Sequence, residues 1–376
     1  MPFPVGYHSF HKTPFINYQL NRWYSFGYAR QEDLEEIGAD IRSFEDYVQA
    51  FNRAAERAVR ENRLKNAATY YRAAEFLIDP SDPDKIPAYE RFRQTFKEAF
   101  AGELYERHRV PYAGSFLSSM RLSAQGAPSK GAVLACGGFD SFIEEFYSIW
   151  RFFAEKGYEV IAFEGPGQGA TLRKHQLPFE HDWEKPTAAV LDFYDRSDVT
   201  MTGVSMGGYW AVRAAAFEPR ISRVIAFPPV YDWLEMTNTF TRWLVSELMR
   251  YEKLMNFLVR QKMGIAKLRH TIRHALFITQ KSKPIDAVHW MLGMNKEHIN
   301  SEQVRQDVLL LGGENDAFQP PVLLQKQKAA LINARSVETR IFTRAEQAAQ
   351  HCQAGNVQLA LDTMLDWMQR VATSRK

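Results

Sequence analysis

An α/β fold, with a mostly parallel central sheet flanked by helices, is the class this sequence predicts, and three observations carry it. Short apolar segments recur along the last two thirds of the chain: Ala132 to Cys136, Glu159 to Phe163, Val199 to Thr202, Arg223 to Phe227, Asp307 to Leu311 and Val337 to Phe342. One of them runs straight into Gly203-Val204-Ser205-Met206-Gly207, a G-x-S-x-G set where a strand turns into a helix. Before all of them, from Ser43 to Phe100, apolar residues keep helical spacing instead. The chain therefore divides into a helical domain at 1–104 and a catalytic domain at 105–376, the latter interrupted by a helical, lid-like insertion at about 232–302.

From the front, Phe44, Tyr47, Val48, Phe51, Ala54, Ala55 and Ala58, then Ala67, Ala68, Tyr71, Ala74 and Phe76, mark a helical pair with arginines and glutamates between. Asp79-Pro80-Ser81-Asp82-Pro83-Asp84 breaks it, and Ile86 to Phe100 resumes the helical pattern. The aromatics of these helices read as core packing. Arg107 to Val110 and Phe116 to Leu122 predict a hairpin that opens the sheet. Ala132 to Cys136 then enters Gly137-Gly138-Phe139-Asp140, and Glu159 to Phe163 enters Glu164-Gly165-Pro166-Gly167-Gln168-Gly169. The second turn lacks the lysine and the serine or threonine of a phosphate-binding loop, so it is expected to be a turn on the rim of the site.

Val199 to Thr202 is apolar and β-branched enough for a buried strand, and Gly208 to Ala216 reads as a helix of mostly small residues. Ser205 would sit at the apex of a turn so tight that its backbone is strained and its neighbours must be glycine. A serine hydroxyl is a weak nucleophile, so this placement predicts a histidine base and a carboxylate downstream, in that family of sites in the order Ser, Asp or Glu, His. Asp307 to Leu311 ends in Gly312-Gly313-Glu314-Asn315-Asp316, with acidic side chains past the carboxyl end of the strand. Asp316 is preferred over Glu314 because it lies furthest past the strand, although it could also cap the helix that opens after Pro320-Pro321. His351 follows the last strand, just before an amphipathic helix from about Asn356 to Val371, and is the expected base, with His289 and His298 as competitors. The oxyanion needs donors worth roughly 3 to 4 kcal/mol each. The N–H groups of Met206, after the nucleophile, and Phe139, in the glycine loop, are expected to supply them, with Asp140 pinning that loop.

The set Gly137 to Asp140, Glu164 to Gly169, Gly203 to Gly208, Gly312 to Asp316 and His351-Cys352 resembles the α/β-hydrolase superfamily over about residues 105 to 376. With the helical front end it resembles, more narrowly, the branch that includes 2,6-dihydroxypseudooxynicotine hydrolase, the fungal polyketide-shortening hydrolases and the FrsA-like esterases. That resemblance implies a serine hydrolase forming an acyl-enzyme, an esterase first and alternatively a carbon–carbon hydrolase of β-diketones or acyl-phenols. It also implies that the insertion is a lid, that Glu235, or equally Asp232, stands near substrate, and, with the apolar front helices, that the protein is a homodimer. Either acid could instead cap the first lid helix.

The insertion is rich in large apolar residues, Trp243, Leu244, Leu248, Met249, Leu254, Met255, Phe257, Leu258 and Met263, and is expected to cover an apolar pocket. Its Arg260, Lys262, Lys267, Arg269 and Arg273 read as a solvated helix face. At 376 residues, 45% hydrophobic and 24% charged, the chain can bury a large core. A net charge of +3 without clustered arginine and aromatic surface gives no support for nucleic-acid binding. The segment Met1 to His8 lacks a basic stretch followed by an apolar run, and no stretch is long enough to span a bilayer, so a cytoplasmic protein is expected, with a small-molecule substrate as its partner. Cys136 and Cys352 have no metal-ligand spacing and cannot build a disulfide framework; both are expected to be free thiols, and neither metal nor cofactor is expected. A non-catalytic protein binding a small molecule on the same fold is the competing class.

Overall fold

Five helices come first: α1 (Pro14–Ser25), α2 (Gln31–Asp40), α3 (Phe44–Arg60), α4 (Leu64–Leu77) and α5 (Lys85–Ala99). They belong to a computed structural model that describes residues 3–126 and 128–374; positions 1, 2, 127, 375 and 376, including the outer ends of both expected domain ranges, lie outside the described residues. The predicted pair is α3 and α4, and Ser43 caps α3 by accepting from Asp46 N at 3.0 Å. Helices α1 and α2 precede the expected pair and add to it. Helix α1 is buried on several sides, polar residues included: Asn21 is enclosed, its side chain accepting from His8 N at 2.7 Å and donating to His8 O at 2.8 Å.

The hairpin is β1 (Glu106–Tyr112) and β2 (Ser115–Leu122), closed by Ala113-Gly114 with φ of 47° and 74°, a two-residue turn whose twist suits antiparallel strands. The chain continues through β3 (Ala132–Cys136), α6 (Tyr147–Glu155), β4 (Glu159–Glu164), α7 (Gly169–Arg173), α8 (Glu184–Tyr194), β5 (Val199–Val204), α9 (Gly207–Phe217) and β6 (Ile221–Phe227). The insertion holds a 3₁₀ turn (Trp233–Met236), α10 (Thr239–Met249), α11 (Glu252–Lys262), α12 (Ala266–Thr279), α13 (Pro284–Gly293) and α14 (Lys296–Ile299). Then come β7 (Asp307–Gly313), α15 (Pro321–Ala330), β8 (Ser336–Phe342) and α16 (Val357–Ser374).

These strands form one eight-stranded sheet in the order β1-β2-β4-β3-β5-β6-β7-β8, antiparallel at β1-β2 and β2-β4 and parallel elsewhere. Alternate residues of each strand feed opposite cores, as the pleat requires. From β3, Val133 and Ala135 join a core shared with the front helices, α6 and α16, whereas Leu134 and Cys136 join one shared with α8, α9, α12 and α13. The front helices are thus packed directly on one face of the sheet.

The insertion differs from expectation. No residue of α10 is buried, and in α11 only Val259 is, so Trp243, Leu244, Leu254, Phe257 and Leu258 stand at the surface, not over a pocket. The apolar contacts to the body come from α12 and α13 instead, through Ala275, Ile278, Ala287 and Trp290. The basic residues divide as well. Arg273 pairs with Asp79, and Lys267 lies over the Phe15 and Phe318 rings at 5.4 and 5.3 Å. Among the described residues no helix is long and apolar enough to cross a membrane.

Candidate active site

Ser205 stands between the end of β5 and the start of α9 with φ 59°, the left-handed conformation that the tight turn imposes. Its N–H donates to Phe227 O at 2.6 Å and its carbonyl accepts from Gly208 N at 2.9 Å, which clamps the apex from both sides. The first glycine of the motif is required by close approach: a Cβ on Gly203 would lie 1.9 Å from Gly207 O. The same reason accounts for Gly138, where a Cβ would lie 2.8 Å from Met206 N and 2.9 Å from Ser205 Cβ. The glycine loop after β3 is therefore pressed against the turn that carries Ser205.

The three residues expected far apart in sequence meet here. Ser205 Oγ lies 2.8 Å from His351 Nε2, and His351 Nδ1 lies 2.7 Å from Asp316 Oδ2. Asp316 does two jobs with its two oxygens, since Oδ1 also accepts from Phe318 N and Gln319 N, both at 2.8 Å. The turn-forming bonds hold the carboxylate in place while the other oxygen faces the imidazole. Glu314 is exposed and accepts from Arg344 N at 2.6 Å, away from His351. Of the competing histidines, His289 is exposed, and His298 has both ring nitrogens engaged, with Asp182 at 3.0 Å and the Tyr209 hydroxyl at 3.1 Å.

Burial alone would push His351 toward its neutral form. The Asp316 carboxylate and Cys352 beside it outweigh that, so the imidazole titrates above its ordinary value. Cys352 is a free thiol in left-handed backbone at φ 51°, with Sγ 3.6 Å from Phe227 O. Cys136 is buried, and desolvation pushes its thiol up to about 12, which leaves it inert.

Phe139 N–H and Met206 N–H have no protein acceptor among the described residues. Met206 precedes α9 and so stands at the positive end of that helix. The loop that carries Phe139 is built to hold its shape. Gln168, expected on a rim, is in fact buried beneath it and donates to Gly137 O at 2.9 Å and Gly138 O at 2.8 Å while accepting from Gly165 N at 2.9 Å. Asp140 pins the loop, as expected, through Arg173, with bonds of 2.7 and 2.9 Å. Burial disfavours the Asp140 charge, yet Arg173, His274 and Lys85 hold it well below the usual carboxylate range.

That pin extends into an ionic cluster with no counterpart in the sequence reading. Arg173 also reaches Glu75 at 3.0 Å, Lys85 reaches Glu75 at 2.9 Å, and Arg72 donates to Asp140 O at 2.9 Å. Three separate parts of the chain, α4 and α5 from the front, α7 from the body and His274 from the insertion, thereby converge on the loop beside Ser205. Sequence reasoning also missed the ring wall of the site, where Phe318 contacts His351 at 5.1 Å and Tyr18 contacts Phe318 at 5.1 Å. Tyr18 comes from α1, a helix outside the expected pair.

Asp232 and Glu235 are both engaged by protein groups. Asp232 Oδ1 caps the 3₁₀ turn by accepting from Leu234 N at 2.8 Å. Glu235 pairs with Arg242 at 2.7 Å, with Lys296 at 3.6 Å and with Lys326.

A mostly parallel eight-stranded sheet with a G-x-S-x-G turn at the end of its fifth strand is the fold of an α/β hydrolase. The chain belongs to the hydrolase family described as Serine aminopeptidase, S33, which matches residues 127–345. Its relatives include Hydrolase acrC of Aspergillus aculeatus, 30% identical over 308 residues that make up 72% of this chain and 68% of that protein. Hydrolyase poxO of Penicillium oxalicum is 30% identical over 266 residues, 60% of this chain, and the chain spans 63% of its length. Among solved structures, 2,6-dihydroxy-pseudo-oxynicotine hydrolase is 20% identical with a TM-score of 0.65, covering 95% of this chain and 96% of that one. The structure titled AbyA5 wildtype is 19% identical with a TM-score of 0.68, covering 90% of each. At these identities the two solved structures show a shared fold, front helices included.

Proposed function

We propose that this hydrolase is a serine hydrolase that cleaves an acyl bond of a small apolar or aromatic substrate, most directly a carboxylic ester. The observation that carries the reading is the continuous line from Ser205 Oγ to His351 at 2.8 Å and on to Asp316 at 2.7 Å, starting from a serine held in left-handed backbone.

In the first step Ser205 Oγ attacks the carbonyl carbon and passes its proton to His351 Nε2. Asp316 stabilises the imidazolium that forms. The carbonyl oxygen becomes an oxyanion held by the N–H groups of Phe139 and Met206, and no side chain has to reorganise to supply them. As the tetrahedral species collapses, His351 returns the proton to the leaving group, and an acyl-enzyme remains. Water, deprotonated by His351, then attacks the acyl carbon, and the acid departs as Ser205 regains its proton.

A second reading keeps the same residues and changes the leaving group. If that group is a stabilised carbanion, as from a β-diketone or acyl-phenol, His351 protonates carbon and the protein is a carbon–carbon hydrolase. The fold shared with 2,6-dihydroxy-pseudo-oxynicotine hydrolase over nearly all of both chains supports it. A peptidase that recognises a free amino terminus has less support, because Glu235 and Asp232 are already engaged by Arg242, Lys326 and Leu234 N.

The test is to incubate the protein with a fluorophosphonate probe and measure intact mass. One adduct, absent in Ser205→Ala, is the expected result. An unlabelled wild type that also fails to turn over aryl esters or β-diketones would sink the catalytic reading and favour a small-molecule-binding protein on this fold.

A further inference from the structure

His351 stands on a short 3₁₀ turn, His351–Gln353, between β8 and α16. The two residues after it, Cys352 and Gln353, are both left-handed, at φ 51° and 48°, and neither is glycine. Such backbone persists only where its surroundings hold it. The side chains of the turn contribute little to that hold. Gln353 is fully buried, and among the described residues neither polar atom of its side chain has a hydrogen-bond partner.

Before the base the chain is fixed by the body, where Asn315 N donates to Ala349 O at 2.9 Å. After the base the fixed points come from the opposite end of the sequence. Gly6 N donates to Gly355 O at 2.7 Å, and Gly355 N donates to Ser25 Oγ at 2.8 Å. Ser25, the last residue of α1, is buried and donates its own hydroxyl proton to Asn21 O at 2.7 Å, which leaves its oxygen aimed at Gly355 as an acceptor. Tyr18, about two turns earlier on the same helix, has its ring 6.0 Å from that of His351 and its hydroxyl 3.5 Å from His351 O. The fit is close at Gly355, where a Cβ would lie 2.4 Å from Gln347 O and 3.0 Å from Tyr7 Cβ. The turn that carries the base is thus gripped by the sheet on one side and by residues 6–25 on the other.

We infer that Ser25 is a positioning residue for the reaction: through the Gly355 N–H it fixes the turn that sets His351 between Ser205 Oγ and Asp316 Oδ2. The front of the chain then contributes to the rate of the chemical step and not only to the core. The inference rests on the proposed reading of His351 as the base, and it assigns part of that base's placement to α1.

The test compares the wild type with Ser25→Ala, which deletes only the hydroxyl, and with Leu20→Ala, which hollows the core beside the same helix and leaves the bonds to the turn in place. Fluorophosphonate inactivation is followed over a range of probe concentrations, so that the limiting rate constant and the half-saturating concentration are obtained separately. A thermal melt and the far-downfield proton NMR resonance of a proton held between a histidine Nδ1 and a carboxylate are recorded for each protein. Ser25→Ala should lower the limiting rate constant about tenfold, shift half-saturation by less than about twofold, and weaken the downfield resonance. Leu20→Ala should lose at least as much melting temperature while the rate constant and the resonance stay at their wild-type values. A Ser25→Ala protein that is inactivated at the wild-type rate with its resonance intact, or a slowing in Leu20→Ala equal to that in Ser25→Ala, would overturn the inference. A wild type that takes no label removes Ser205 as the nucleophile, and the resonance alone then decides. Its loss in Ser25→Ala and survival in Leu20→Ala upholds the positioning of His351, whereas its absence from the wild type or its survival in Ser25→Ala overturns it.

Discussion

At the scale of single residues, the left-handed Ser205 and the two-sided use of Asp316 decide how the site behaves. In the proposed mechanism the active form of His351 is neutral, and its titration is raised above the ordinary value near 6.5 because Asp316 and Cys352 outweigh burial. Activity therefore rises with pH through a limb above that value. Asp316→Asn removes the carboxylate, so the acid limb of kcat/KM should move to lower pH while kcat falls by about 10³ to 10⁴. A pH–rate profile of the variant checks both, and an unmoved limb would remove Asp316 from the role of partner to the base. Gly138→Ala sets a methyl 2.8 Å from Met206 N, next to the proposed oxyanion position. It should lower kcat by about 10² with a smaller change in KM.

At the scale of elements, the glycine loop after β3 is held from beneath by α7 and its preceding turn. Gln168 bonds two of its carbonyls, and Arg173 bonds Asp140 and Glu75. Gln168→Leu leaves those carbonyls unpaired, and should slow fluorophosphonate inactivation at least tenfold while the melting temperature falls by only a few degrees. Arg173→Met is different in kind, because it removes a guanidinium shared by two fully enclosed carboxylates. It should cost about 3 to 5 kcal/mol in urea unfolding. A change under about 1 kcal/mol would show that Lys85 and Arg72 compensate. This cluster was illegible in the sequence: Arg72 and Glu75 share α4, but Lys85, Asp140 and Arg173 lie on other elements, and nothing in local spacing says that these side chains point inward.

At the scale of the whole molecule, the front helices and the sheet share one core. Leu20, Trp23, Phe51, Ala55 and Phe96 belong to the same buried cluster as Val133, Ala135, Val160 and Leu309. Removing residues 1–104 would expose that face of the sheet, and the shortened chain should aggregate or lose its near-ultraviolet circular dichroism. The full chain should unfold in a single calorimetric transition. Two separated transitions would show that the helices and the sheet are independent.

What the sequence by itself determined were the features written in short spans: the strands from Ala132 to Phe342, the helical pair around Phe51 and Tyr71, and the turn at Ser205. Strand alternation, helical spacing and the glycines of a tight turn are local constraints, so they survive in one dimension. The chain order Ser, Asp, His extended that reach to Asp316 and His351, because a known chemistry asks for three residue types past the ends of parallel strands, here β5, β7 and β8. Tertiary structure alone decided the rest. Tyr18 of α1 comes to stand beside Phe318 and His351 only when the front helices pack on the body, a contact between segments far apart in the chain. The apolar residues of α10 and α11 read as a pocket cover because composition records that a side chain is apolar and not which way it faces. Gln168 and Arg173 acquire their roles only when distant elements are packed together, since burial and pairing are properties of the enclosed space and not of neighbours along the chain.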